Sequence, residues 1–159
     1  MKHLLLLALF AFPLGALGTD DPPAGPQRWD SSYFSDLQRT LSAAAASDPH
    51  HAASVKFGDF PNDAIYEIVR TGDGAPELHE TEADIYYIQS GSGTLLVGGS
   101  LVGASTVAPH ELRNGTIQNG ARFKLAAGDV LRIPANQPHQ VFLDGAREIT
   151  YLVVKSKGY

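Results

Sequence analysis

Apolar and polar positions divide the chain into three textures. Leu4 to Phe12 is an unbroken apolar run behind Lys2, followed by Pro13, Gly15 and the small residues Ala16 and Gly18. A basic start, a short apolar stretch and small residues before a cut site are the layout of a secretory signal peptide, expected over residues 1–18. The run is too short for a permanent membrane span, which takes about 20 residues. Residues 19–27 are rich in Pro, Gly and Asp and read as a flexible leader. Tyr33, Phe34, Leu37 and Leu41 then recur at helical spacing, with Asp30 or Ser31 as the cap and an alanine run at 43–46. This predicts a helix over about 32–46, stopped by Asp48-Pro49.

From Ser54 onward the pattern changes to short alternating runs between close turn signals. Strands are expected at 64–70, 77–79, 85–90, 94–97, 101–102, 113–117, 122–125, 130–133, 140–143 and 148–154. Gly91-Ser92-Gly93 reads as a tight turn that returns 94–97 as a partner strand. Strands this short and regular indicate a sandwich or small barrel rather than alternating strands and helices. The expected organisation is a signal peptide at 1–18, a leader and helix at 19–53, and one β-barrel domain at 54–159.

Composition narrows the chemistry. The 159 residues carry a formal charge of −5 and no basic run, which argues against nucleic acid or an anionic membrane surface as a partner. There is no cysteine, so a core rather than disulfides must stabilise the domain, and any metal must be held by imidazole and carboxylate. His50-His51 follows the helix stop and reads as a solvated turn. Asn114-Gly115-Thr116 is a glycosylation sequon, relevant in a eukaryotic host.

Two segments carry candidate chemistry. The first runs from Glu77-Leu78-His79 through Asp84-Ile85-Tyr86-Tyr87 to Gly91. The second runs from Gly128 through Ile133-Pro134-Ala135-Asn136-Gln137-Pro138-His139. Together they resemble the paired motifs of the cupin superfamily, H-x-H-x(3,4)-E-x(6)-G and G-x(5)-P-x-G-x(2)-H-x(3)-N. Asp84 stands for the motif glutamate with Gly91 in register, and His79 and Glu77 fall at the two histidine positions. Gly128, Pro134 and His139 match the second motif, Asn136 replaces its turn glycine, and Leu143 stands where asparagine is common. The resemblance covers residues 64–154 and implies an all-β fold, a cupin-type double-stranded β-helix (jelly-roll) barrel, here with an N-terminal helix.

Strand periodicity agrees with the resemblance. Glu77 and His79 share one face of an extended segment, and so do Asp84, Tyr86 and Ile88. Pro134 and Pro138 bracket a turn that fixes where His139 enters its strand. The resemblance implies a divalent metal ion (Fe, Mn or Zn) held by Glu77, His79 and His139. Asp84 would be a fourth ligand or a general base; Tyr86, on the face of Asp84, would either line the cavity as a second catalytic candidate or pack in the core with its hydroxyl tethered. The opposing reading is a metal-free barrel in which both histidines hydrogen-bond to Asp84 and Glu77. His110 and Glu111 could contribute to the site, but their Pro-preceded, loop-like context favours the surface; most of Arg113, Arg122 and Arg132 are expected on exposed faces, with one of them a candidate substrate anchor.

The function implied is a secreted or periplasmic enzyme acting on a small organic molecule, by isomerase, epimerase or lyase chemistry or as a dioxygenase. A non-catalytic small-ligand-binding module is the alternative. The resemblance also implies a homodimer.

Overall fold

The computed structural model describes residues 25–158; the expected signal peptide lies outside them. The helix α1 (Ser31–Ser47) opens at Asp30, whose carboxylate accepts from the backbone N–H groups of Ser32 and Tyr33. Twelve strands follow: β1 (Ala52–Asp59), β2 (Asp63–Arg70), β3 (Glu77–His79), β4 (Glu82–Val97), β5 (Ser100–Val102), β6 (Ser105–Ala108), β7 (Glu111–Arg113), β8 (Thr116–Gln118), β9 (Ala121–Ala126), β10 (Val130–Ile133), β11 (His139–Phe142) and β12 (Ile149–Lys157). All described pairings are antiparallel, and the strands curl into a barrel that matches the expected all-β jelly roll with an N-terminal helix.

Strand β4 joins the two halves of the barrel. Its first half pairs with β12 and β10, and its second half with β11 and β9. The expected tight turn at Gly91-Ser92-Gly93 is therefore corrected: the chain runs straight through it, and 94–97 continue the strand. Gly91 takes a positive φ of 79°, and a Cβ there would lie 2.1 Å from the Glu148 carbonyl oxygen. These glycines admit neighbouring backbone where the strand passes between sheets; they do not reverse it.

A second correction concerns the strand expected at 113–117. Asn114 and Gly115 both take positive φ, and the chain turns there. On one side β7 joins β3, and on the other β8 joins β5. Strands β1 and β6 had no distinct signal in the sequence.

The barrel interior is filled by Tyr86, Ile88, Leu95, Ile149, Tyr151 and Val153 with their neighbours. A smaller apolar cluster, Leu41, Ala45 and Val69 with Leu37, Ala53 and Val55, seats α1 on the outer face of β1 and β2. That placement packs the helix over the outermost strand β1 and its neighbour β2. Glu67 is fully buried beside this cluster, and neither carboxylate oxygen has a hydrogen-bond partner among the described residues. Burial raises its pKa to about 7, with Gln89 opposing. The neutral form is favoured by folding, so its share of stability is present at low pH and is lost as pH rises through about 7. Glu67→Gln should therefore stabilise the protein at pH 8 by about 1–3 kcal/mol and change little at pH 5, as read by denaturant unfolding at both values.

Candidate metal centre

One end of the barrel gathers the charged residues. Pairing of β3 with β11 sets Glu77 opposite His139, and pairing of β3 with β7 sets Glu77 opposite Arg113 and His79 opposite Glu111. Across the barrel, β12 sets Lys155 opposite Asp84. Asp84 Oδ2 lies 3.3 Å from His79 Nε2 and 3.5 Å from His139 Nε2, so Glu77, His79, Asp84 and His139 stand together. The turn before β11 is tied to the first segment as well. Asn136, at φ 61°, donates its backbone N–H to the His79 carbonyl and its side-chain amide to the Glu80 carbonyl. Asparagine thus supplies the left-handed conformation in place of the motif glycine.

His139 is nearly inaccessible, at 1% exposure. Its Nδ1 lies 2.9 Å from the Gln137 carbonyl oxygen, so Nδ1–H donates there and Nε2 turns inward. Nε2 has no hydrogen-bond partner among the described residues, yet it lies 3.3 Å from Glu77 Oε1 and 3.5 Å from Asp84 Oδ2. Burial opposes a charged imidazole at this position. Asp84 and Glu77 outweigh it and raise the His139 pKa to about 9.

His79, at 3% exposure, is held from both sides. Its Nδ1 is 2.7 Å from Glu111 Oε1, and its Nε2 is 2.8 Å from Lys155 Nζ and 3.3 Å from Asp84 Oδ2. Burial lowers its pKa, but Asp84 and Glu111 raise it further, against Lys155. The geometry at Nε2 selects the form. The Lys155 ammonium has only donors, so Nε2 receives its hydrogen bond on a lone pair while Nδ1–H donates to Glu111.

Burial would raise the Asp84 carboxyl, but His139, His79 and Lys155 hold it far below the usual range. Glu77 is treated alike by His139, Arg113 and His79. Both are therefore carboxylates. Arg113 reaches Glu77 at 2.8 Å and Glu111 at 2.9 Å, and Lys155 lies 2.8 Å from Asp84 Oδ1 and 3.8 Å from Glu82 Oε2. With His79 neutral and His139 protonated, the four carboxylates Glu77, Glu82, Asp84 and Glu111 exceed the cations Arg113, Lys155 and His139 by one charge.

The residues present fit a divalent ion. Ligand atoms of Glu77, His79 and His139 lie within 4.8 Å of one another, and so do those of His79, Glu82 and Glu111. Two atoms bound about 2.1 Å from one ion sit roughly 3.0–3.4 Å apart, close to the 3.3 and 3.5 Å separations around His139 Nε2. The orphaned Nε2 and the excess negative charge both favour a cation.

Tyr86 sits one layer deeper, at 1% exposure, with its ring 6.3 Å from the His139 ring and 4.9 Å from that of Tyr151. Burial, then Glu77, Tyr151 and Asp84, raise its pKa well above the ordinary value, so its hydroxyl stays neutral. Tyr87 faces outward, as its position in the alternation requires. His110 is exposed, as expected, and its Nδ1 lies 3.0 Å from Glu80 Oε2. Glu111 is the correction: its partner His79 is in the cluster, and strand β7 turns it inward. Arg113 and Lys155 complete the set that sequence reading missed. Lys155 had a signal, since it follows Tyr151 and Val153 at the inward period of β12.

No protein-family model matches the sequence, and no curated protein matches it. Solved structures do. A recombinant oxalate oxidase in complex with glycolate is 18% identical with a TM-score of 0.50, over 70% of this chain and 53% of that one. A predicted oxalate decarboxylase from Thermotoga maritima is 18% identical with a TM-score of 0.50, over 67% and 80%. An uncharacterized conserved protein with a double-stranded β-helix domain from Klebsiella pneumoniae is 16% identical with a TM-score of 0.50, over 67% and 77%.

Proposed function

On the cupin-type double-stranded β-helix that this chain adopts, we propose a divalent-metal centre serving an exported enzyme that acts on a small organic molecule. The observation that carries this reading is His139 Nε2, buried, without a hydrogen bond among the described residues, and lying 3.3 and 3.5 Å from two carboxylates. Glu77, His79 and His139 would hold the ion, with Asp84 as fourth ligand or base. A bound ion would supply Lewis-acid polarisation of a substrate oxygen or, as iron, a centre for O2 chemistry. Around it, Gln137 and Glu111 fix the two imidazole orientations and Arg113 holds Glu77. Asp84, as a carboxylate between two histidines and a lysine, can accept a proton. The oxidase and decarboxylase names among the solved structures support small-molecule chemistry as a class. Secretion rests on the signal-peptide layout of residues 1–18, and a homodimer on the family resemblance.

One observation favours the metal-free ligand-binding alternative: Lys155 already satisfies His79 Nε2 and Asp84. Metal content separates the two readings. Protein purified without chelator should carry close to one Fe, Mn or Zn per chain by mass spectrometry, and a His79→Ala, His139→Ala double variant should carry none. A wild type that stays metal-free after reconstitution with each ion would favour the binding module.

A further inference from the structure

The imidazole of His79 offers the barrel a single lone pair. Nδ1–H is committed to Glu111 at 2.7 Å, so only Nε2 can bind a cation. In this structure the Lys155 ammonium, 2.8 Å away, takes that lone pair, and the same nitrogen lies 2.8 Å from Asp84 Oδ1. A metal ion on His79 would need the same lobe at about 2.1 Å. Two cations cannot share it. The lysine has a second acceptor within reach, because Glu82 Oε2 is 3.8 Å from Nζ and lies on the more exposed side of the cluster.

We propose that Lys155 is an internal cation that competes with a metal ion for His79 Nε2 and gives up that place by swinging toward Glu82. The inference rests on the metal-centre reading above and adds a residue that sets its affinity. Without metal, Lys155 balances Asp84 and keeps the cluster assembled. With metal, it must leave Nε2, and its ammonium then stands beside the ion, where a positive charge is ready for an anionic group of a bound molecule.

The test is Mn(II) titration of metal-free wild-type protein and variants, with free Mn(II) read by electron paramagnetic resonance. Lys155→Met keeps the apolar stem and removes the competitor, so Mn(II) should bind about tenfold tighter or more. Lys155→Gln, a milder replacement, should move in the same direction if the methionine variant folds poorly. Lys155→Arg retains the charge and should gain nothing. Competition also predicts coupling with the second berth: Glu82→Gln should weaken Mn(II) binding more in the wild type than beside Lys155→Met. Equal or weaker binding by both uncharged variants, with wild-type binding intact, would overturn the role of Lys155 alone. Absence of Mn(II) binding in wild type and variants would overturn the metal centre together with it.

Discussion

His139→Ala should weaken divalent-metal binding about a hundredfold or more, because losing even a residue that only orients a ligand commonly costs ten- to a hundredfold. The size of the effect follows from what surrounds the ring. Gln137 fixes Nδ1–H, so Nε2 has one orientation, and no other imidazole among the described residues stands opposite Glu77 in the strand register. An alanine leaves Glu77 and Asp84 with His79 as their nearest imidazole, and His79 already answers to Lys155. Titration of metal-free protein with Mn(II) reads the loss directly. Circular dichroism on the same sample verifies that the barrel is intact. An unchanged affinity would remove His139 from the centre.

Asp84→Ala should be the most destabilising single change in the cluster, costing about 3–5 kcal/mol in metal-free protein. Asp84 is 2% exposed and touches Lys155, His79 and His139 at once. Its removal takes away the carboxylate that the Lys155 ammonium and a protonated His139 share, and leaves them only Glu82 at 3.8 Å and Glu77 at 3.3 Å, which is the costly way to break a buried pair. The pH dependence has a definite sign. Folding holds the Asp84 pKa below its ordinary 3.8, so its stabilisation is complete above about pH 4 and fades only as pH falls further. The wild type should therefore resist acid better than the variant, and the gap between their denaturant midpoints should close toward strongly acidic pH. A variant as stable as wild type at pH 7 would contradict the ion-pair account.

How much of this was legible in the sequence depended on the range of the contacts involved. The helix came from local signals: apolar spacing of 3 and 4 and an aspartate cap, and it runs Ser31–Ser47. Residues two apart on extended segments were placed on common faces, which is why Glu77 with His79, and Asp84 with Tyr86, could be grouped. Asn136 at a glycine position was readable because asparagine tolerates the left-handed region. Other features depended on partners far along the chain. Glu111 meets His79 across 32 positions, and Lys155 meets it across 76. Pairing of that range is decided by which edges the barrel closes, and single-strand periodicity carries no record of it. Gly91-Ser92-Gly93 misled for a related reason. Glycine marks close backbone approach as readily as a turn, and only the position of Glu148 distinguishes the two.

The most direct test of the central claim is calorimetric titration of metal-free wild-type protein with Mn(II) at pH 7.5, repeated in buffers of different ionisation heat. The pKa of His139, raised to about 9, means that its imidazole carries a proton there, and a metal ion must displace it. The account predicts one ion bound per chain with close to one proton released. No binding, or binding without proton release, would contradict it.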